Sequence, residues 1–285
     1  MGEPTVRRRR LGSELRRLRE GAGLTLDDVE AKVPGMKGSK TSRIETARIG
    51  IKPGDLDALL DVYKVAPGAP KREVLHGLAK DGARRGWWQT YSDIISPSYA
   101  DLISLEDDAT SMRSYQTVLI PGLLQTAAYA RSTITAINMT STAEHVNRLV
   151  EVRMARQAVL SRPKPLPVWA IIHEAALHMQ VKDQPTVMRD QLQRLLDLMD
   201  YPHISIQVLP RGAAPHPGLS GPFTMLSFPE TADLDVVLVE HLTSALYVED
   251  TAEVSIYGSA FEHLRAEALP LDKSADLIAN LKDSR

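Results

Sequence analysis

The sequence predicts a multidomain protein: an all-α N-terminal domain of five helices, followed by a larger mixed α+β domain. Three observations carry this reading. Up to about residue 80, apolar residues recur at helical spacing, with no strand-like run among them. After residue 168, apolar runs of strand length appear in a cluster. The length of 285 residues suits about two domains.

Residues 1–6 read as a disordered lead. From Arg9 the pattern turns helical, with Leu11, Leu15, Leu18 and Ala22 on one face, and Gly21 and Gly23 ending the helix. Thr25 opens a second helix. Its hydroxyl can accept from the Asp28 amide while Asp28 answers, a variant of the capping box that usually has Glu or Gln there. Leu26, Val29 and Val33 face inward, and Pro34-Gly35 stops the helix and makes the turn.

A third helix from about Lys37 to Thr46 points Thr41 and Ile44 inward, and Gly38, Ser39, Lys40 and Arg43 toward solvent. Pro53 suits the first turn of a fourth helix, where its missing N–H costs nothing; Leu56, Leu59, Leu60 and Tyr63 form its apolar stripe. Pro67 to Pro70 separates a fifth helix, Lys71 to Lys80. The expected domains are therefore 7–80, a linker and start of the second domain over 81–97, and an α+β domain over 98–285.

In that second domain, helices are expected near 98–112, 123–137 and 143–160, and Pro163, Pro165 and Pro167 break the run. A strand is expected at Val168 to Ile172. A helix follows over 185–199, with Val187, Leu192, Leu195, Leu196 and Met199 as core candidates. Further strands are expected at Ile204–Leu209, Phe223–Phe228, Val236–Glu240 and Ala245–Val248, with a loop from Gly212 to Pro222. Helices over 251–267 and 271–281 close the chain. Strands clustered late favour α+β over strict βαβ alternation.

Composition removes several function classes. The chain has no cysteine, which excludes disulfides, thiolate metal sites and cysteine nucleophiles. No apolar run approaches the roughly 18–20 residues that span a bilayer. The basic run Arg7 to Arg10 is not followed by an apolar stretch of signal-peptide length, so a cytoplasmic protein is expected. The net charge of -2 hides an asymmetry: through Arg85 there are 19 Lys/Arg against 12 Asp/Glu, and beyond it 15 against 24. A net of +7 on an acidic body of -9 is the footprint of an end that meets a polyanion, or a solvated basic face; charge alone leaves both open.

Two helices joined by a short turn, the second and third, have the layout of a helix-turn-helix, whose second helix lies in the major groove. Leu15-Arg16-Arg17-Leu18-Arg19, Gly23-Leu24-Thr25 and Ser42-Arg43-Ile44-Glu45-Thr46 resemble the xenobiotic-response-element family of regulators, relatives of the phage repressors. The resemblance implies a partly buried pair between Arg19 and Glu45 that fixes the recognition helix. Gly38, Ser39, Lys40 and Arg43 then face the bases, Gly38 without a side chain, and Arg43 can bond a guanine bidentately. Lys37, Arg48 and Lys52 suit phosphates, and Arg7 to Arg10 can add phosphate or minor-groove contacts. The blander alternatives are solvated charges at Lys40 and Arg43 and a solvated arm at Arg7 to Arg10. The chain departs from the family at Glu30, where a small residue is usual, at Ala47, where glycine is usual, and in a turn one residue longer.

The rest of the chain is similar to a domain found behind this unit in many actinobacterial regulators. Gly86-Trp87-Trp88, Leu105-Glu106, Pro121 to Thr126, Tyr129-Ala130, Arg153 to Gln157, His173-Glu174, Gln191-Leu192, Ile204 to Pro210, Gly221-Pro222-Phe223 and Leu264-Arg265-Ala266 carry the likeness. It implies a regulatory, antitoxin-like role beside a small protein partner. Gln125 reads as a pocket contact or as scaffold, and Trp87-Trp88 as a docking site or as packing.

No enzyme, cofactor or metal is expected. His173 and His178 are five apart, about 140° round a helix, whereas a zinc-protease helix needs two histidines four apart. His203, His216 and His241 are scattered singly, and neither a Walker loop nor a Gly-x-Ser-x-Gly elbow occurs. The expected function is that of a sequence-specific transcriptional regulator, binding double-stranded DNA as a homodimer. Its C-terminal domain sets dimer geometry and receives a signal from a small protein partner or a small-molecule effector. The alternative is an antitoxin-like protein that mainly sequesters a partner, favoured by the departures at Glu30 and Gly38.

Overall fold

The computed structural model describes residues 5–81, 86–181, 184–228 and 235–285. They pack as two compact units. The described residues up to Gln89, with Ser96–Leu105, form the first; Thr90–Ile95, Glu106–Phe228 and Asp235–Arg285 form the second.

The first unit is helical: α1 (Val6–Gly21), α2 (Leu26–Lys32), α3 (Gly38–Glu45), α4 (Pro53–Val62), α5 (Pro70–Asp81) and the first turns of α6 (Pro97–Asp108). The five expected helices are all present. α1 starts earlier than its apolar pattern. The Thr5 hydroxyl accepts from the Arg8 amide, and the Val6 amide donates to Asp101 Oδ2 at 3.1 Å. Val6 is fully buried, and Arg7 and Arg10 are only 4% exposed. Arg7 donates to the Ser104 carbonyl at 2.6 Å. This corrects two expectations, a lead reaching residue 6 and a wholly solvated arginine arm. An arginine can bury its long apolar stem when its head finds an acceptor, so a run of four arginines need not face water. Residues 1–4 of the expected lead, and 82–85 of the expected boundary, lie outside the described residues.

The second unit is built on a six-stranded mixed sheet of order β3-β2-β1-β4-β5-β6. Its strands are β1 (Ser111–Gln116), β2 (Val168–His173), β3 (Ile204–Leu209), β4 (Phe223–Ser227), β5 (Val236–Glu240) and β6 (Ala245–Val248). β1, β2 and β3 pair in parallel, and β1–β4, β4–β5 and β5–β6 are antiparallel. The parallel crossovers run through α7 (Ala127–Ile137) and α8 (Ala143–Arg156), then α9 (Glu174–Leu177) and α10 (Pro185–Met199). α11 (Thr251–Glu267) and α12 (Leu271–Asp283) follow the last strand. The α+β class is as predicted.

α11 seals one core, where Phe261, Leu264 and Val254 meet Tyr115, Phe223 and Val237 of the sheet. α12 serves the β3 edge: the Val208 amide donates to Ser274 Oγ at 3.0 Å, and the Leu269 amide before α12 donates to the Val208 carbonyl at 2.9 Å. Outward-facing backbone groups of β3 are thereby satisfied.

β1 replaces the end of the expected 98–112 helix, which stops at Asp108. The strand is central yet polar. Its buried Ser114 hydroxyl meets Thr224 Oγ1 of β4 at 3.2 Å, so the burial leaves no orphaned group.

The loop before α7 is held by a buried polar network. Arg156 grips the fully buried Glu106 through two bonds of 2.5 and 2.8 Å. Gln125 donates to the Ile120 carbonyl at 2.8 Å and accepts from Arg153 at 2.9 Å. Gln191 donates to the Leu124 carbonyl and accepts from the Thr126 amide, at 2.8 and 2.7 Å. Gln125 is thus scaffold. Removing one partner of a buried ion pair leaves a stranded charge. Arg156→Met is expected to destabilise the second unit by about 3–5 kcal/mol, and Glu106→Leu added to it to recover part of that loss in urea denaturation.

Candidate nucleic-acid interface

α2, the turn at Pro34-Gly35 and α3 form the helix-turn-helix. The expected cap is in place: Thr25 Oγ1 accepts from the Asp28 amide at 3.1 Å, and Asp28 Oδ2 accepts from the Thr25 amide at 2.8 Å. Gly35 takes a left-handed φ of 77°, which a side chain would strain. Thr41 and Ile44 bury the inner side of α3 as predicted.

The C-terminal end of α3 is fixed by α1. Arg19 Nε donates to Glu45 Oε1 at 2.7 Å and Nη2 to Oε2 at 3.0 Å, a bidentate fork. Nη1 donates to the Leu24 carbonyl at 2.8 Å, so one guanidinium ties the end of α1, the entry to α2 and the end of α3. The two side chains are 10% and 4% exposed, so the pair is buried. Tyr63, buried at the end of α4, has its phenol pushed up by burial and by the charge of Glu45.

The close approach behind this pair depends on Gly12, a residue the sequence reading passed over. A Cβ there would meet the Glu45 and Ile44 carbonyl oxygens at 2.5 and 2.7 Å. The signal was present as a glycine inside an otherwise helical pattern.

The N-terminal end of α3 corrects the placement of Gly38. It is buried rather than base-facing, and its amide donates to Glu30 Oε2 at 2.8 Å. A Cβ at Gly38 would lie 3.4 Å from that oxygen and 3.5 Å from Leu26 Cβ. Glu30 therefore caps α3 from α2, where Lys37, the N-cap residue, provides no side-chain bond. Two of the departures from the family pattern, Glu30 and Gly38, thus form one contact. After α3, Ala47 holds a left-handed φ of 57°, as the usual glycine would, and the Arg48 amide donates to the Arg43 carbonyl at 2.8 Å.

The outer side of α3 carries Ser39 and Arg43, both exposed. Lys40 is half-exposed and paired with Asp55 of α4 at 2.8 Å, a tether the sequence reading did not include. Lys37, Arg48 and Lys52 are exposed, Lys37 and Lys52 as the N-cap residues of α3 and α4. Elsewhere, the His173 ring caps α9 by accepting from the Ala175 amide, and His178 meets Glu174 at 3.2 Å. Among the described residues, no group of three or more His, Asp or Glu could hold a metal ion.

Two substitutions test the fixing of α3. Glu45→Ala strands the Arg19 charge and is expected to cost about 3 kcal/mol of stability. Gly12→Ala improves helix propensity by roughly 1 kcal/mol, yet is expected to destabilise by about 1–3 kcal/mol net, because the added carbon strikes backbone. Denaturant titration of the full chain measures both.

Residues 10–74 match the family of the helix-turn-helix domain, and residues 99–280 match the domain of unknown function DUF5753. No curated protein and no solved structure matches the chain. Among the described residues, no helix is long and apolar enough to cross a membrane. The second match spans more than half of the sequence, and the chain belongs to the DUF5753 family, with a helix-turn-helix DNA-binding domain at its N-terminal end.

Proposed function

We propose that the protein is a sequence-specific transcriptional regulator that binds double-stranded DNA as a homodimer in the cytoplasm. The observation that carries this is an α3 anchored at both ends with Ser39 and Arg43 exposed between the anchors. Arg43 contacts a base edge in this reading, and guanine is the base its fork fits. Lys37, Arg48 and Lys52 contact phosphates and set the register. Lys40 exchanges Asp55 for DNA at small cost, since an exposed pair contributes at most about 1 kcal/mol. One recognition helix makes few contacts, so two copies on paired half-sites are proposed. Placement within the xenobiotic-response-element class rests on the Arg19–Glu45 pair.

The C-terminal domain is proposed to set dimer geometry and to receive a signal from a small protein or small-molecule effector. No catalytic step belongs to this function. The antitoxin-like alternative drew on Glu30 and Gly38. Their contact serves to position α3, so they no longer favour it over a DNA-reading role.

Arg43→Ala is expected to leave folding unchanged and to cost about 1–3 kcal/mol of discrimination at one base pair of the selected site. Lys52→Ala is expected to weaken binding to all sequences alike and to reduce the salt slope by about 1. Fluorescence anisotropy over a salt series measures both. Unchanged specificity in Arg43→Ala would contradict the assignment of α3.

A further inference from the structure

α11 and the β5–β6 hairpin flank a groove of about 480 Å³ in the second unit. Val239 and Leu246, a cross-strand pair of the hairpin, line one side. Glu253, Ile256, Tyr257 and Ala260 line the other, at a spacing that puts them on one face of α11. Phe223 and Val248 also line the groove and belong to the buried core of the sheet. The Phe223 and Tyr257 rings meet edge to face, with centroids 5.1 Å apart.

Size and lining suit a small ligand. A cleft of some hundreds of Å³, mainly apolar with a few polar groups, is the usual form of a small-molecule site. Phe223 and Val248 tie the lining to packed core, so the shape is built before a ligand arrives. Leu246 and Ile256, on the two sides, are 57% and 68% exposed. An apolar body seated between them removes that surface from water, which is favourable.

Charge identifies the kind of ligand. The exposed Glu253 carboxylate has no hydrogen-bond or ion-pair partner among the described residues, and no Lys, Arg or His lines the groove. From Gly212 to Leu264 the sequence has no Lys or Arg at all. The start of α11 has little to offer an anion, because Asp250 Oδ1 already accepts from the Ala252 and Glu253 amides at 3.0 and 3.1 Å. Tyr257, one turn beyond Glu253, adds an aromatic ring on the same side of the groove. A carboxylate and an aromatic ring both attract an organic cation.

We propose that this groove binds a small amphipathic organic cation, an amine or quaternary ammonium ion with an apolar body. The apolar body lies between Leu246 and Ile256 over Phe223 and Val248. The cationic head stays at the solvent side of the groove, against Glu253 and the Tyr257 ring. Because Glu253 is already hydrated, it selects for charge at the mouth while the apolar lining supplies most of the affinity. This deepens, and rests on, the small-molecule effector role given to the C-terminal domain, and it is independent of base reading by α3.

The test is calorimetric titration of the full chain with three probes of one chain length: octyltrimethylammonium, octanoate and 1-octanol. The cation is expected to bind at least about tenfold more tightly than either of the others. Glu253→Gln is expected to remove that preference, and Glu253→Lys to transfer it to octanoate. Leu246→Lys/Ile256→Lys is expected to weaken the cation at least about tenfold. All the substituted residues are exposed, so each variant is expected to keep the wild-type melting curve. Absence of binding, equal binding of the three probes, or a cation preference that survives in Glu253→Gln would overturn the proposal. So would cation binding unchanged in Leu246→Lys/Ile256→Lys, because the site would then lie elsewhere. A wild-type dimer that dissociates in that variant during sedimentation would also overturn it, since a second copy would then fill the groove. Cation binding that depends on Glu253 but leaves DNA affinity unaltered would support the site and count against the effector role alone.

Discussion

The Arg19–Glu45 pair is the constraint on which the placement of α3, the proposed reading helix, depends. α3 has eight residues, well below the roughly 12–15 at which an isolated helix becomes even marginal in water. It persists because its surroundings hold it. Gly12 lets the α1 backbone approach the last turn, the Arg19 fork closes over Glu45, and Glu30 takes the first amide. Each element costs the unit something: a glycine inside a helix, a buried ion pair, a carboxylate spent on a cap. Together they define where α3 begins, where it ends and which side it exposes. That positional precision is what base reading requires, because hydrogen bonds to base edges tolerate little displacement.

The second unit uses the same device. Arg156 holds Glu106 in the interior, and the side chains of Gln125, Gln157 and Gln191 satisfy backbone groups of an irregular loop. A buried loop would otherwise leave unsatisfied carbonyl and amide groups. Several of the residues that carry the C-terminal domain's family likeness meet here: Glu106, residues of the stretch Pro121 to Thr126, Arg153, Arg156, Gln157 and Gln191, and their hydrogen bonds serve the architecture of this loop.

The helices of the first unit were legible because their apolar residues keep a 3.6-residue period and their ends carry Thr25, Gly23, Pro34-Gly35 and Pro53. The late strands were legible as short apolar runs. β1 was not, because a strand paired on both sides can hold Ser114 in its interior when Thr224 answers it from the next strand. The Arg19–Glu45 pair that the family resemblance implies and the Thr25 cap that capping chemistry predicts are both present in the structure. Gly38 was misplaced because a glycine looks like an exposed position when no side chain argues otherwise. Glu30, eight residues away in sequence, carried the missing partner. The burial of Arg7 and Arg10 was hidden for a similar reason, since the Ser104 carbonyl that accepts from Arg7 lies far along the chain.

The most direct test of the central claim is selection of random double-stranded DNA by the purified full chain, repeated over a range of salt concentrations. A discrete motif composed of two related half-sites, with affinity falling steeply as salt rises, is the predicted result. Weak binding without a motif at every salt concentration would contradict it, and would leave α3 as a well-anchored helix that reads no sequence.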